Sequence, residues 1–356
     1  GRAVSDFYTW KDDCGEDCFR GKSCADYLSE STGYPMFSGY GTVTHFALER
    51  RDEVPKNGKY FTGIGDYLAM RLCGVSEPAA DATMAASFGG YDLCREAFDL
   101  ECLEKAGVLI SFYPAVLKRG VKAGSRMAGR YRGIPVFWSV GDNQASFFGA
   151  AGRSEDAVCV NVGTGSQVSL FDRRRLPCRW GEVRPFPGEG YLYVQASLNG
   201  GKVYERLALF LEEICSGLPE ECLSGMRVNG YDLAQRLLRQ KESTDLSVYP
   251  SLYGVRGRKK RFGVIENITE KNFHPSDLVR AYVAGMAAEL HDMYGGFPDG
   301  LCGGRRKIIA SGNGIRKNEL LRQEIERQFG MPLYLSGLDE EAAAGAACLA
   351  GEWSLF

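Results

Sequence analysis

Two short stretches have the residue types that phosphoryl transfer needs. Gly141-Asp142-Asn143-Gln144 places a carboxylate where an apolar run, Val136–Val140, gives way to a helical pattern. An Asp at the end of a buried strand stands where ligand crevices open in α/β sheets, and it can accept a proton from an attacking alcohol. The same Asp could serve only as a helix N-cap. Gly163-Thr164-Gly165-Ser166 follows between two apolar strands. Its glycines would let backbone N–H groups approach a phosphate as an anion nest, with the Thr and Ser hydroxyls as further donors. The alternative is a plain hairpin turn. A Walker A loop is excluded, because neither its lysine nor its six-residue frame is present.

Three weaker candidates join them. Gly312-Asn313-Gly314, with Asn318 beyond it, lies where the strand Lys307–Ala310 meets a helix, and such a turn can let a nucleotide lie against backbone. Asn199-Gly200-Gly201 stands in the same relation to the strand 191–196 and the next helix. Both could equally be ordinary strand–helix connections. Near the N-terminus, Trp10-Lys11-Asp12-Asp13 could hold a sugar, with carboxylates on vicinal hydroxyls and an aromatic face on the ring's C–H side; it could also be an exposed acidic loop.

The elements that must position these residues alternate between strand and helix, which predicts an α/β class. Val136–Val140 reads as a buried strand, 143–151 as a helix, and 158–162 with 167–171 as a hairpin. Val203, Leu207, Phe210, Leu211 and Ile214 share one helical face, as do Val279, Val283, Met286, Leu290 and Met293, and again Leu321, Ile325 and Phe329. All three stripes are expected to pack into core. A chain of 356 residues is expected to form two domains, with the boundary near Gly152-Arg153.

Composition narrows the function classes. The chain is 44% hydrophobic and 25% charged, with a formal net charge of -2, so no overall field recruits nucleic acid or an anionic membrane. The basic run Arg256, Arg258, Lys259, Lys260, Arg261 lacks interleaved aromatics and reads as a solvated loop. No apolar run is long enough to cross a bilayer, and the polar first residues do not read as a signal peptide. The 12 cysteines show no paired zinc-site spacing and fit free thiols in a reduced cytosol.

Taken in order, these pieces resemble the FGGY carbohydrate kinases. Thr9-Trp10-Lys11-Asp12 looks like the family's sugar-side segment. Ile64–Leu68 and Asp81–Ser87 look like its next two blocks, and Val140–Ser146 matches its catalytic block. Asn161–Gln167 matches its second phosphate motif, and Ser311–Leu321 and Glu340–Ala347 resemble its adenosine block and final helix. The resemblance implies two actin-like (ribonuclease H-like) domains with a cleft between them, 1–152 on the sugar side and 153–356 on the nucleotide side. It implies ATP as donor, Mg2+ bridging its phosphates, and a sugar hydroxyl as acceptor. Asp142 would be the general base. Trp10, Asp12 and Asn143 would meet the sugar. Gly163, Thr164, Gly165 and Ser166 would hold phosphates, and Gly200, Gly312, Asn313 and Asn318 would line the adenosine site. The family's Asp-x-Gly-Thr-Thr-like first phosphate motif has no counterpart here, so an N-terminal domain lacking its first strands is expected.

Overall fold

A computed structural model describes residues 1–125, 131–218, 228–253 and 262–353. The basic run 256–261 lies outside the described residues. Two compact units divide the chain. One comprises Gly1–Gly149, Arg184–Tyr191 and Glu340–Phe356; the other comprises Ala150–Val183 and Leu192–Asp339.

The first unit is rich in helices joined by short strand pairs. Helix Cys24–Thr32 begins where the Ser23 hydroxyl accepts from Asp26 N and ends at Gly33, whose φ of 73° closes it. Leu28, Val43, Phe46, Phe88, Phe98, Leu103 and Tyr113 form the main core. Its rings meet edge to face, as at Phe61–Tyr113 with centroids 4.7 Å apart. A second cluster of Ala69, Met70, Ala79 and Trp138 lies beneath the segment that leads to Asp142.

The strand expected over 136–140 is shorter than its apolar run. It spans Pro135–Phe137, antiparallel to Lys122–Ser125, and the last backbone bond beyond it is Trp138 N–H to Val121 O at 3.3 Å. The amides of Ser139 and Gly141 leave the ladder because buried side chains take them instead. The helix that follows spans Asp142–Ala151.

The final helix, Glu341–Trp353, groups with this unit, although the resemblance implies a place on the nucleotide side. The cause is a close crossing on the Asp142 helix. A Cβ on Gly345 would stand 1.9 Å from Ala145 O, so only glycine permits the approach.

The second unit holds most of a six-stranded mixed sheet. Its order is Glu182–Pro185, Tyr191–Ser197, Ser166–Asp172, Ala157–Val162, Lys307–Ser311, Leu333–Leu335. Ala157–Val162 runs antiparallel to Ser166–Asp172 and parallel to Lys307–Ser311. Ser166 pairs with Val162, which leaves Gly163-Thr164-Gly165 as the hairpin's loop.

Helix Pro275–Gly295 packs on helix Glu319–Phe329 and on the strand Ser166–Asp172. The residues of its apolar stripe are buried, as are Leu321, Ile325 and Phe329. In helix Gly201–Ser216, Val203, Leu207 and Leu211 are buried, but Phe210 is 45% exposed and Ile214 54% exposed. The expectation of core packing fails at these two. The buried arc is completed by Tyr204 and Ala208 on its other flank, with Phe210 at its edge and Ile214 in the last turn. Among the described residues, no helix is long and apolar enough to cross a membrane.

Candidate functional site

Asp142 is the first residue of its helix, and its carboxylate is exposed. Its Oδ1 accepts from the adjacent Asn143 N at 2.7 Å. A capping side chain instead reaches the amides two or three residues on. The first helical bond is Ala145 N–H to Gly141 O at 2.9 Å, so Gly141 opens the helix and Asp142 projects from its first turn.

Buried side chains hold the turn before Asp142 at two points. Asp66, from helix Ile64–Cys73, accepts through Oδ1 from Ser139 N at 2.9 Å and from Ser139 Oγ at 2.6 Å. Thr83 Oγ1 accepts from Gly141 N at 3.0 Å. Thr83 in turn donates its hydroxyl (2.7 Å) and its amide (2.8 Å) to Asp81 Oδ1, and Asp81 Oδ2 takes Gly120 N–H at 2.9 Å. Burial pushes the Asp66 carboxyl up to about 6, against the lowering effect of its two Ser139 bonds, with a further rise from the Asp81 charge. Burial also raises Asp81, opposed by its bonds to Thr83 and Gly120 and by the charge of Arg119. Both aspartates sit in blocks that carry the family resemblance, which by itself assigns neither a role. A charged residue inside an otherwise apolar block was the available signal.

Trp10 and Asp12 occupy a separate turn of the first unit. Asp12 Oδ2 accepts from Thr9 N and from Thr9 Oγ1, the latter at 2.9 Å, and these bonds hold its carboxyl below the usual range. Trp10 is 70% exposed. Among the described residues, no hydrogen bond or ion pair joins Trp10 or Asp12 to Asp142 or Asn143.

In the second unit, three glycine turns that are far apart in sequence converge. Gly163 O accepts from Gly201 N–H at 2.7 Å. A Cβ on Gly200 would lie 2.2 Å from Gly165 O. Gly312 has φ +88°, and a Cβ there would lie 2.5 Å from Val162 O. Asn161 Nδ2 donates to Ser311 Oγ at 2.8 Å, tying the strand before the first turn to the strand before the third. Thr164 is exposed at the tip of its loop.

Ser166 is buried, with its Oγ unpaired, beside a small cavity that Asn199, Gly200 and Glu289 also line. Ser197 Oγ and Asn199 Nδ2 both donate to Glu289 Oε1, at 2.5 Å and 2.8 Å, which fixes the turn that carries Gly200. Asn313 is exposed at the start of a short helix, Asn313–Arg316. Asn318 caps helix Glu319–Phe329 by accepting from Leu321 N at 3.1 Å, and its Nδ2 is buried without a partner. The arrangement offers close backbone access and unspent donors, as an anionic nucleotide requires.

Comparison with known proteins agrees with this chemistry. Residues 158–352 match the C-terminal domain of the FGGY family of carbohydrate kinases. Sedoheptulokinase of Mus musculus is 29% identical over 357 residues, spanning 97% of this chain and 73% of that protein. Glycerol kinase of Bacillus cytotoxicus is 25% identical over 379 residues, spanning 99% and 72%. The crystal structure of xylulose kinase from Lactobacillus acidophilus matches with a TM-score of 0.75 at 20% identity, covering 97% of this chain and 70% of that one. That likeness is one of fold, the actin-like two-domain α/β architecture. With more than half of its length inside the family match, the chain belongs to the FGGY family of carbohydrate kinases and is a sugar kinase, a phosphotransferase of a family whose donor is ATP.

Proposed function

We propose that this kinase transfers the γ-phosphoryl group of ATP to a primary hydroxyl of a ketose, with sedoheptulose as the acceptor and sedoheptulose 7-phosphate as the product. The observation that carries the reaction is the exposed Asp142 carboxylate on a turn fastened from both sides. Asp142 accepts the hydroxyl proton as the oxygen attacks phosphorus. Trp10, Asp12 and Asn143 contact the sugar.

Gly163, Thr164 and Gly165 hold the β- and γ-phosphates through backbone N–H groups and the Thr164 hydroxyl, with Ser166 at the foot of the loop. Gly200, Gly312, Asn313 and Asn318 line the adenosine pocket, where the buried Asn318 Nδ2 is a ready donor. Among the described residues, no group of three or more His, Cys, Asp or Glu side chains could hold a metal. A Mg2+ ion carried on the ATP phosphates would offset their charge as the phosphoryl group moves. No residue is assigned to it. The reading includes a cytosolic setting, where thiols stay reduced.

The choice of sedoheptulose rests on the 29% identity to the mouse enzyme over nearly the whole chain. The glycerol kinase relative and the xylulose kinase fold favour a second reading, in which the acceptor is xylulose, glycerol or another polyol. Coupled ADP detection over a panel of these acceptors, with the parent and Asp142→Asn, tests both. We expect the highest kcat/KM with sedoheptulose and a loss of at least about 100-fold in Asp142→Asn. Higher kcat/KM with another polyol overturns the acceptor, and near-normal turnover in Asp142→Asn overturns the base. Binding of ATP and sugar by a parent chain with no turnover would mark a sugar- and nucleotide-binding protein instead.

A further inference from the structure

The chain between Phe137 and Asp142 has left the sheet, so its amides need other partners. Two of them find buried carboxylates, one directly and one through a hydroxyl. At Gly141 both faces of the residue are fixed. Its N–H is held by Thr83 Oγ1 at 3.0 Å, and its C=O takes the first helical bond, from Ala145 at 2.9 Å. Those two bonds fix the peptides on either side of Gly141, the second of which leads into Asp142. At Ser139 the amide and hydroxyl both converge on Asp66 Oδ1.

Stability alone does not explain this choice of residues. Asp66 is fully buried, and its second oxygen, Oδ2, has no hydrogen-bond partner. Burying a carboxylate with half of its acceptors unused costs folding free energy, so its contact with the turn is kept at the expense of stability.

We infer that Asp66, and Asp81 acting through the Thr83 hydroxyl, are positioning residues that clamp the two sides of the Asp142 turn and so aim its carboxylate. The inference rests on the reading of Asp142 as the base. Neither aspartate touches the reacting atoms; each acts through the backbone of the turn. The Thr83 hydroxyl is the relay, since it donates to Asp81 and accepts from Gly141 at once.

The test compares Thr83→Val, which keeps the shape and removes the hydroxyl, with Thr83→Ser, which keeps the hydroxyl. A displacement of about 1 Å at a reacting group costs about 100-fold in rate. Thr83→Val is therefore expected to lose about 10- to 100-fold in kcat, with KM for sugar and ATP within about 3-fold of the parent. Thr83→Ser should retain kcat. Amide hydrogen exchange over 138–143 gives a readout that needs no turnover: the Gly141 amide should exchange faster in Thr83→Val and not in Thr83→Ser. If Thr83→Val fails to fold, Asp66→Ala, which removes the acceptor of both Ser139 bonds, carries the test from the other side. Unchanged exchange and unchanged kcat in these variants overturn the clamp. Asp142→Asn separates the two readings. Activity retained there overturns the base whatever the clamp does, whereas an inactive Asp142→Asn beside a fully active Thr83→Val overturns the clamp alone.

Discussion

Asp66→Asn should make the protein's stability respond differently to pH, and the size of the effect follows from one buried carboxyl. Burial raises the Asp66 carboxyl from the ordinary 3.8 to about 6 in the folded state. The folded chain therefore holds this proton more tightly than the unfolded chain. Below pH 4 the group is protonated in both states and has no effect. As pH rises from about 4 to about 6, the unfolded state releases its proton first, and the folded state loses stability relative to it. Above about pH 6 the loss is complete and constant. A shift of about 2 units at about 1.4 kcal/mol per unit gives a loss of about 3 kcal/mol.

Asn removes the titration while its Oδ1 still accepts from Ser139 N and Oγ. Its NH2 group, placed where Oδ2 has no partner, adds a cost that does not vary with pH. The variant-minus-parent difference should thus grow in favour of the variant by about 3 kcal/mol between pH 4 and pH 7.5, on the order of 5–10 °C in melting temperature for a unit of this size. Thermal melts of both proteins at half-unit pH steps would measure it. A difference that stays flat across this window, or that grows in favour of the parent, refutes the argument.

Two further outcomes test the local geometry. In Gly65→Ala the new Cβ would stand 2.6 Å from Ser139 Cβ, so the turn must shift; kcat should fall at least about tenfold while ATP affinity, measured by calorimetry, is unchanged. In Gly200→Ala the new Cβ would stand 2.2 Å from Gly165 O and push the phosphate loop out of register. ATP binding should weaken by at least about tenfold, with sugar binding unaffected, and an unchanged ATP affinity would remove Gly200 and Gly165 from the nucleotide side.

Much of this architecture could be read from local pattern, and the exceptions share a physical cause. The hairpin around Gly163–Gly165 and the helix after Asp142 are short-range features, set by glycine placement and apolar period. The approach of Gly312 to Val162 is not. It follows from the parallel pairing of Ser311 with Asn161, a register between strands far apart in sequence that no local window contains. The strand expected over 136–140 ran too long for a similar reason. The strand pattern continues past Ser139 to Val140, but hydrogen bonding decides where a strand ends, and the Ser139 and Gly141 amides are claimed by side chains from distant blocks. Phe210 and Ile214 satisfy the helical period yet stay exposed, because a stripe's width shows which residues could face a neighbour and not how far that neighbour extends.

Three aspartates at or behind the Asp142 turn divide along the same line. Asp142 is exposed and, among the described residues, its carboxylate bonds its neighbour's amide alone, through Oδ1, so Oδ2 remains open to a ligand. Asp81 is buried with both oxygens bonded, which suits a fixed anchor. Asp66 is buried with one oxygen bonded and one bare, the least stable arrangement of the three. A carboxylate that weakens the fold at neutral pH, and whose side-chain hydrogen bonds among the described residues go to the turn before Asp142, is better explained by geometry than by stability. That makes the two effects separable. Asp66→Asn should stabilise the fold progressively as pH rises while keeping the turn, whereas Thr83→Val should release the turn with no comparable dependence of stability on pH. If both variants moved stability and turnover together, the distinction between holding the fold and aiming the base would be lost.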